Sequence, residues 1–261
     1  MVKVKPKKHL GQHFLKDISI AEDITLGLKD FHLYQEVLEI GPGMGVLTDF
    51  LINKPFQLSV IDIDKESIVY LNKKYKDIPI EIIEGDFLQI DWSLRRTKPF
   101  AIIGNFPYNI SSQIFFKILD HKDLIPEVVC MLQKEVAERL CANEHSSDGG
   151  ILNIFLQSFY DIEYLFTVQE HVFDPPPKVK SGVIRLRRNS TKQLDCDEVS
   201  FRKIVKIAFL MRRKTLRNSL KVIQLPSDVM ELPIFNKRAE QLSVNDFVWI
   251  TNIYTQNLAN I

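Results

Sequence analysis

The sequence predicts an α/β fold over residues 1–188 and a small all-helical domain over residues 189–261. In the first part, short apolar runs alternate with segments of helical spacing, as in a parallel sheet covered by helices. The polar stretch at residues 189–198 resembles a linker, and the sequence after it reads as helices. We therefore place one domain boundary after Arg188.

Five apolar runs are predicted to be short buried strands of that sheet. They occupy residues 37–40, 58–63, 80–83, 100–103 and 128–132. Residues 183–186 read as a further strand, whereas residues 151–159 fit either a strand or a helix. A helix is expected to begin near Leu47, and another to cover residues 111–119 with Ser111 as its cap.

The composition limits the class of protein. With 261 residues and 45% hydrophobic content, the chain can bury a substantial core. The first sixteen residues carry five Lys and no apolar run, and no apolar stretch approaches ~20 residues, so we expect neither secretion nor a membrane span. Three cysteines without metal-ligand spacing fit a reducing environment. We expect a cytoplasmic protein without a metal site.

The near-zero net charge of +1 conceals a basic segment. Residues 175–221 carry fourteen Lys and Arg against three acids, a local balance of +11, so the remainder sums to −10. Within it, an apolar helical stripe alternates with cations, which leaves a basic face for phosphates or, alternatively, a merely solvated one. The stripe is Phe201, Ile204, Val205, Ala208 and Phe209, and the candidate RNA-binding cations are Arg202, Lys203, Lys206, Arg212, Arg213, Lys214, Arg217 and Lys221. Lys3, Lys5, Lys7 and Lys8 are expected to form a flexible electrostatic arm.

Three glycines, Gly41, Gly43 and Gly45, follow the first predicted strand and precede a helix. This context favours a ligand-binding loop, although a tight turn without a ligand also explains it. A dinucleotide-binding loop would place its third glycine one position later, at Val46.

Two acids follow the next two predicted strands, at the edge where an open α/β sheet binds ligands. Asp62 can accept hydrogen bonds from two ribose hydroxyls, and Asp86 can accept from an adenine amine or a backbone donor. Either acid alone is an ordinary loop or cap residue. Together with the glycines, they predict a cleft shaped for a nucleoside.

The tetrapeptide Asn105-Phe106-Pro107-Tyr108 follows the fourth predicted strand. The Asn105 amide oxygen and neighbouring backbone carbonyls can accept from an exocyclic amine, and the Tyr108 ring offers a stacking face. A simple turn explains the tetrapeptide equally well when it is taken alone. Its place at the end of a buried strand favours a site for chemistry on adenine N6.

These motifs together resemble those of the ribosomal RNA adenine N6,N6-dimethyltransferase family, and in particular its bacterial small-subunit branch. The resemblance runs from about Lys8 to Lys221. It rests on residues 11–15 (GQHFL), 39–43 (EIGPG), 85–87 (GDF), 105–111 (NFPYNIS), 131–136 (MLQKEV) and 173–179 (FDPPPKV).

The resemblance implies a Rossmann-like domain that uses S-adenosylmethionine, followed by a small helical domain that seats the enzyme on ribosomal RNA. In this reading His13 and Leu15 close over the cofactor, Gly41 and Gly43 lie beside its methionine portion, Asp62 holds the ribose, Asp86 holds the adenine, and Asn105 lies where cofactor and target meet. The expected product is N6,N6-dimethyladenosine at two adjacent adenosines in a 3′-terminal hairpin of 16S ribosomal RNA.

A sulfonium methyl is already activated, so alignment should dominate the catalysis and no dedicated general base is needed. Asn105 and the Phe106 or Pro107 carbonyl would accept the hydrogens of the adenine amine, and Tyr108 would hold the face of the base. The target must be extruded from its stack, with Phe173 as a candidate second wall.

Three alternatives remain open from the sequence. In the first, the enzyme acts on large-subunit ribosomal RNA or on DNA, since the tetrapeptide reads the amine and not its surroundings. In the second, the chain serves chiefly as an assembly factor for the small subunit. In the third, it is a nicotinamide-dependent oxidoreductase, which the glycine spacing disfavours. The expected partners are the small ribosomal subunit and its RNA, and the expected state is a monomer without membrane or metal.

Overall fold

The computed structural model describes residues 4–142 and 149–259 of the chain. The chain divides into two compact units, one of Met1–Glu138 with Asp161–Arg188 and one of Arg139–Tyr160 with Asn189–Ile261. The sequence predicted a single domain boundary, after Arg188. The structure also assigns Arg139–Tyr160 to the second unit, because Phe155 packs on Phe201 there, with ring centroids 6.2 Å apart.

The elements up to Arg188 alternate between strands and helices. In chain order they are β1 (Phe14–Leu15), α1 (Ile18–Thr25), β2 (Glu36–Ile40), α2 (Thr48–Leu51), β3 (Gln57–Asp62), α3 (Lys65–Lys74), β4 (Glu81–Glu84), α4 (Trp92–Arg95), β5 (Phe100–Asn105), α5 (Ser111–Asp120), β6 (Glu127–Gln133), α6 (Lys134–Leu140), α7 (Ile151–Gln157), β7 (Tyr160–Val168), β8 (Phe173–Asp174) and β9 (Ser181–Arg188).

The central sheet has seven strands in the order β4-β3-β2-β5-β6-β9-β7. Strands β2 to β6 run parallel to their neighbours, and β9 is antiparallel to β6. Ile40 lies opposite both Ile61 and Gly104, and Asn105 lies opposite Met131. The parallel strands therefore end at one edge, where an open sheet places its ligands. A separate two-stranded sheet pairs Leu15 of β1 with Phe173 of β8.

The strand predictions are confirmed for β2 to β6 and for β9. The inner parallel strands β2, β3, β5 and β6 are largely buried, as strands covered on both faces should be, whereas the edge strand β4 has exposed Glu81 and Glu84. Residues 151–157 form helix α7 and not a strand. Strand β7 was missed by the sequence analysis. It lies at an edge of the sheet and is only half-buried, so its pattern mixes apolar residues with Asp161 and Glu163.

Two predicted helix starts have different outcomes. Helix α2 begins at Thr48 with Leu47 as its N-cap, as expected. The prediction that Ser111 caps α5 is wrong, because Ile110 is the N-cap and Ser111 is the first helical residue. The Ser111 hydroxyl instead donates to the Tyr108 carbonyl at 3.3 Å, within the preceding turn.

The second unit contains α7 and four further helices. They are α8 (Glu198–Leu210), α9 (Leu216–Ser219), α10 (Ser227–Met230) and α11 (Val244–Ala259). The Asp197 side chain caps α8 by accepting from Ser200 N at 2.8 Å. The predicted stripe on α8 is buried at four positions, and Phe209 stacks on Phe247 of α11 at 6.2 Å. Among the described residues, no helix combines the length and apolar character needed to cross a membrane.

Candidate active site

A pocket lies at the edge where β2, β3 and β5 end. Its cavity volume is about 310 Å³, at the lower end of the ~300–1,000 Å³ typical of small-molecule sites. Its lining includes residues 10–15, residues 41–44, Val46 and Leu47, the pair Asp62 and Ile63, and residues 105–108. Four of the segments predicted to form the site are therefore brought together in one cleft.

The glycine loop turns sharply at the mouth of this pocket. Gly41, Gly43 and Gly45 have φ values of 67°, 56° and 80°, a region that residues with a Cβ rarely adopt. At Gly43 a Cβ would also approach the Phe14 ring within 2.8 Å. This glycine is thus needed both for the turn and for the close packing of the N-terminal segment over the loop.

Asp62 closes β3 beneath the loop and is 7% exposed. Its two carboxylate oxygens accept from Gly43 N at 3.3 Å and from Asp64 N at 2.9 Å. Burial raises the pKa of Asp62 to about 6, although these backbone bonds act in the opposite direction. The carboxylate is ionised at pH 7 and is held at the pocket wall with further acceptor capacity.

Glu39 is a second buried acid at the pocket, and the sequence analysis gave it no role of its own. It is 1% exposed and accepts from Thr48 Oγ1 at 2.6 Å. Burial raises its pKa to about 8, with the charges of Asp49 and Asp62 adding to the shift. An acid inside an otherwise apolar strand was the available signal for this residue.

The orientation of the Asn105 side chain follows from its hydrogen bond to His13. Its amide nitrogen donates to the His13 carbonyl oxygen at 3.1 Å. Because a carbonyl can only accept, the nitrogen must face His13, which leaves the amide oxygen to accept from a ligand. The side chain lines the pocket, so this acceptor is held at the predicted place.

The next three residues are fixed mainly through the backbone and the tyrosine hydroxyl. Phe106 N donates to Met131 O at 3.0 Å, and its ring is 1% exposed. The Pro107 carbonyl already accepts from Ile110 N at 3.1 Å, so the Phe106 carbonyl is the better candidate for a second amine acceptor. The half-buried Tyr108 bonds to Ser181 through hydroxyl oxygens 2.6 Å apart.

The N-terminal segment roofs the pocket and is anchored on both sides. Lys7 forms ion pairs with Asp64 and Glu66, and Gln12 donates to Asp64 at 3.1 Å. On the other side, His13 Nδ1 lies 2.8 Å from the Pro175 carbonyl. The expected flexible arm is therefore wrong for Lys7, while Lys3 lies outside the described residues.

A family model described as ribosomal RNA adenine dimethylase matches residues 3–256. The chain belongs to this family. The match confirms the resemblance carried by the sequence motifs and the expectation of an adenine-methylating enzyme with S-adenosylmethionine as cofactor.

Relatives of this dimethylase agree with the family match over nearly the whole chain. A ribosomal RNA small subunit methyltransferase A from Cytophaga hutchinsonii is 59% identical over 254 residues, covering 97% of this chain and 98% of the relative. The crystal structure of a dimethyladenosine transferase from Plasmodium falciparum is 29% identical with a TM-score of 0.79, covering 94% of this chain and 98% of that one. The crystal structure of the 23S rRNA methyltransferase ErmE has a TM-score of 0.71 at 23% identity, covers 93% of this chain and 100% of that one, and supports the fold alone.

Most of the predicted cofactor residues of the dimethylase line the pocket, and one does not. His13, Leu15, Gly41, Gly43, Asp62 and Asn105 are all lining residues. Asp86 is not among them, and its carboxylate accepts from Leu88 N at 2.9 Å in the turn after β4. Its contact with a cofactor adenine remains a prediction.

Phe173 is the predicted base-pocket residue that the structure places elsewhere. Its side chain is 1% exposed and belongs to the apolar core, behind the pairing of β8 with Leu15. The expectation that Phe173 forms a second wall for the base is therefore wrong for this structure. The pairing of β8 with β1 turns the Phe173 ring toward the core. The triple proline that follows Phe173 in the sequence does not indicate this direction.

The pocket also has apolar lining residues that the sequence analysis did not assign. Met44, Val46 and Ile18 line it, together with Ile63, which is 54% exposed at the end of β3. An apolar residue left exposed at a cleft suits the flat face of a purine. Their signal in the sequence was only adjacency to the glycines and to Asp62.

The predicted RNA-binding cations of the helical unit fall into two groups. Lys203 donates to the Tyr254 hydroxyl at 2.7 Å, Arg212 to the Gly149 carbonyl at 2.9 Å, and Arg217 to the Met230 carbonyl at 3.0 Å. These three help to hold the unit together. Four other predicted cations, Lys206, Arg213, Lys214 and Lys221, are exposed, and their side chains make no hydrogen bond or ion pair with another described residue.

Metal ligands were also sought. Within residues 4–142 and 149–259, no cluster of three or more His, Cys, Asp or Glu side chains has the arrangement to hold a metal ion.

Proposed function

We propose that this dimethylase transfers methyl groups from S-adenosylmethionine to N6 of two adjacent adenosines in a 3′-terminal hairpin of small-subunit (16S) ribosomal RNA. The product is N6,N6-dimethyladenosine, made in the cytoplasm during small-subunit biogenesis by a monomeric enzyme. The small-subunit substrate is supported by the 59% identity to the ribosomal RNA small subunit methyltransferase A of Cytophaga hutchinsonii. The chemistry is supported most directly by Asn105, whose amide oxygen is left as an acceptor at the pocket.

The residues at the pocket fit the proposed cofactor. Asp62 has acceptor capacity for two ribose hydroxyls, and its position is fixed by Gly43 N and Asp64 N. The exposed Ile63 offers an apolar face beside it for the adenine. Glu39 and the glycine loop line the other part of the pocket, where the methionine portion would lie. Asp86 is proposed to approach the adenine amine from the end of β4.

Asn105 and Phe106 supply the proposed contacts to the target base. The adenine amine is a weak nucleophile because its lone pair is delocalised into the ring. Accepting its two hydrogens at the Asn105 amide oxygen and the Phe106 carbonyl favours a more pyramidal nitrogen with its lone pair free. Tyr108 supplies the face on which the extruded base stacks, a contact worth roughly 1–3 kcal/mol.

The chemical step depends on alignment. S-adenosylmethionine supplies a methyl group already activated by its sulfonium. Asn105 holds the amine in line with that methyl, and closing the N-terminal segment over the pocket excludes water. The proton on the methylated nitrogen leaves to solvent, because neutral acceptors contact the amine and no side chain is required as a base.

The helical unit is proposed to seat the enzyme on RNA. Lys206, Arg213, Lys214 and Lys221 are exposed without a described protein partner and are the cations proposed to contact phosphates. Arg202 is proposed to join them, while Lys203, Arg212 and Arg217 also have the structural contacts described above. The catalytic domain is proposed to span residues 1–188 and the RNA-binding domain residues 189–261, with α7 contributing to the second.

The test supplies labelled S-adenosylmethionine with four substrates in parallel: immature small subunits, mature small subunits, large subunits and DNA. We expect dimethyladenosine in the immature small subunit, identified by mass spectrometry of digested RNA. The Asn105→Ala variant should lose at least about a hundredfold in rate, by analogy with removal of an oriented hydrogen-bonding group from other active sites.

Label confined to large subunits or DNA would overturn the substrate assignment. Normal subunit maturation with the inactive Asn105→Ala variant would instead favour an assembly role with methylation secondary. Saturable binding of a nicotinamide dinucleotide without binding of S-adenosylmethionine would overturn the proposal as a whole.

A further inference from the structure

The ring of Tyr108 is held at two points, and one of them has no assigned role in the reaction. Its hydroxyl lies 2.6 Å from Ser181 Oγ. Its ring stacks on the His13 imidazole, with centroids 5.7 Å apart and planes 26° from parallel. A stacking platform for a base needs a defined plane, and the hydroxyl bond fixes the far end of this ring.

Ser181 is itself held firmly by the sheet. It is the first residue of β9, it is 0% exposed, and it lies opposite Gln133 at the end of β6. Lys134 N donates to the Lys180 carbonyl at 2.9 Å, which extends the pairing past this point. Because β6 also pairs with β5, where Asn105 lies opposite Met131, Ser181 and Asn105 share one edge of one sheet.

The hydroxyl of Ser181 has no competing structural task in the described chain. Among the described residues its hydroxyl bonds to Tyr108. The buried Ser158 hydroxyl, by comparison, bonds locally to the Ile154 carbonyl one helical turn away at 2.8 Å. The Tyr108 bond instead spans 73 positions in sequence.

We propose that Ser181 is a positioning residue that sets the plane of the Tyr108 ring for the target adenine. This inference rests on the proposed role of Tyr108 as the stacking face. The first methyl transfer is aligned by two acceptors and by the ring. The second is aligned by the ring and by one acceptor only, because the monomethylated nitrogen has a single hydrogen left.

It follows that loss of the Ser181 hydroxyl should impair the second transfer more than the first. A ring released from Ser181 can rotate away from the plane that aligns the base, and small misplacements are costly when alignment carries the rate. Monomethyladenosine should then accumulate relative to the unaltered enzyme.

The experiment compares Ser181→Ala, Ser181→Thr, Tyr108→Phe and the Ser181→Ala/Tyr108→Phe double variant. It measures kcat, KM for RNA, the Kd for S-adenosylmethionine, the melting temperature and the ratio of monomethyl to dimethyl product. Ser158→Ala is the matched control for deleting a buried serine hydroxyl, since Ser158 is the C-cap of α7 in the helical unit. The RNA used is the one that the unaltered enzyme methylates. The role of Ser181 can therefore be tested even if the proposed small-subunit substrate is wrong.

We expect Ser181→Ala to lower kcat about tenfold and to raise the monomethyl fraction, with cofactor affinity unchanged. Tyr108→Phe should have the same effect. The double variant should lose no more activity than either single variant, because both substitutions delete the same hydrogen bond. Ser181→Thr should restore the product ratio, since it keeps the hydroxyl and suits a strand.

Three results would overturn the inference. One is a Ser181→Ala enzyme with an unaltered rate and product ratio. Another is additive losses in the double variant. The third is a loss in Ser181→Ala that tracks a lowered melting temperature and weakened cofactor binding, with Tyr108→Phe unaffected, since that pattern belongs to a fold defect.

Discussion

Replacing Asp62 by Asn should raise stability relative to the unaltered protein as pH rises, and should weaken cofactor binding. Burial raises the pKa of Asp62 to about 6, against roughly 3.9 for a free side chain. The folded state therefore binds more protons than the unfolded state between about pH 4 and pH 6, and stability is lost as pH rises through that window. Two pKa units correspond to about 3 kcal/mol.

The variant removes this cost because its amide does not ionise. The unfolding free energy of Asp62→Asn minus that of the unaltered protein should increase by about 3 kcal/mol between pH 4 and pH 6. Above pH 6 this difference should stay constant. The amide keeps one acceptor oxygen in place of two and turns an NH2 toward a backbone N–H of Gly43 or Asp64. We expect the Kd for S-adenosylmethionine to rise about a hundredfold, or roughly 2.7 kcal/mol.

The assay is urea unfolding without cofactor at pH 4, 5, 6 and 7, together with calorimetric titration of the cofactor at pH 7. Asp197→Asn is the matched control, because the Ser200 hydrogen bonds lower the pKa of that capping carboxylate and its stability difference should change in the opposite direction with pH. A difference for Asp62→Asn that is flat between pH 4 and pH 6 would refute the burial cost. Unaltered cofactor affinity would refute the ribose contact.

Three further predictions test other parts of the structure. Gly104→Ala should destabilise the fold by about 3 kcal/mol or more in urea unfolding, because its Cβ would lie 2.3 Å from the Ile40 carbonyl oxygen of the neighbouring strand; a smaller loss would contradict that packing. Glu39→Gln should gain stability relative to the unaltered protein as pH rises from about 4 to about 8 and no further, because burial raises the Glu39 pKa to about 8; a pH-independent difference would be inconsistent with a buried protonated acid. Arg213→Gln combined with Lys214→Gln should reduce the slope of log affinity for RNA against log salt by about 1.5 to 2, as two lost phosphate contacts require, and an unchanged slope would remove both from the RNA surface.

The parallel strands and the cofactor half of the site were predictable because their signals are local. A buried parallel strand reads as an apolar run, and the glycines and Asp62 directly follow such runs. In the sheet these positions are neighbours, since Ile40 pairs with Ile61 and Gly104. The chain order alone therefore placed the loop, Asp62 and Asn105 at one edge.

The failures arose where side-chain direction or distant contacts decide the structure. Phe173 lies in the right segment, but pairing of β8 with β1 turns its ring into the core. Lys7 looked like part of a mobile basic arm because its partner, Asp64, lies 57 positions away. Strand β7 was missed because an edge position allows exposed acids within it. None of these facts is encoded in the spacing of neighbouring residues.

The two halves of the site differ in how they are built, which explains why only one of them was fully predictable from the sequence. The cofactor wall is supplied by consecutive strand ends, so its parts stay in register whenever the sheet forms. The base wall is assembled from three separate segments: Asn105 is oriented by His13, and Tyr108 by His13 and Ser181. Substitutions at Ser181 are therefore expected to shift Tyr108 without moving Asp62, since Ser181 bonds to Tyr108 while the Asp62 carboxylate accepts from Gly43 N and Asp64 N. We expect such substitutions to change how a monomethylated adenine fits while the affinity for the cofactor stays the same.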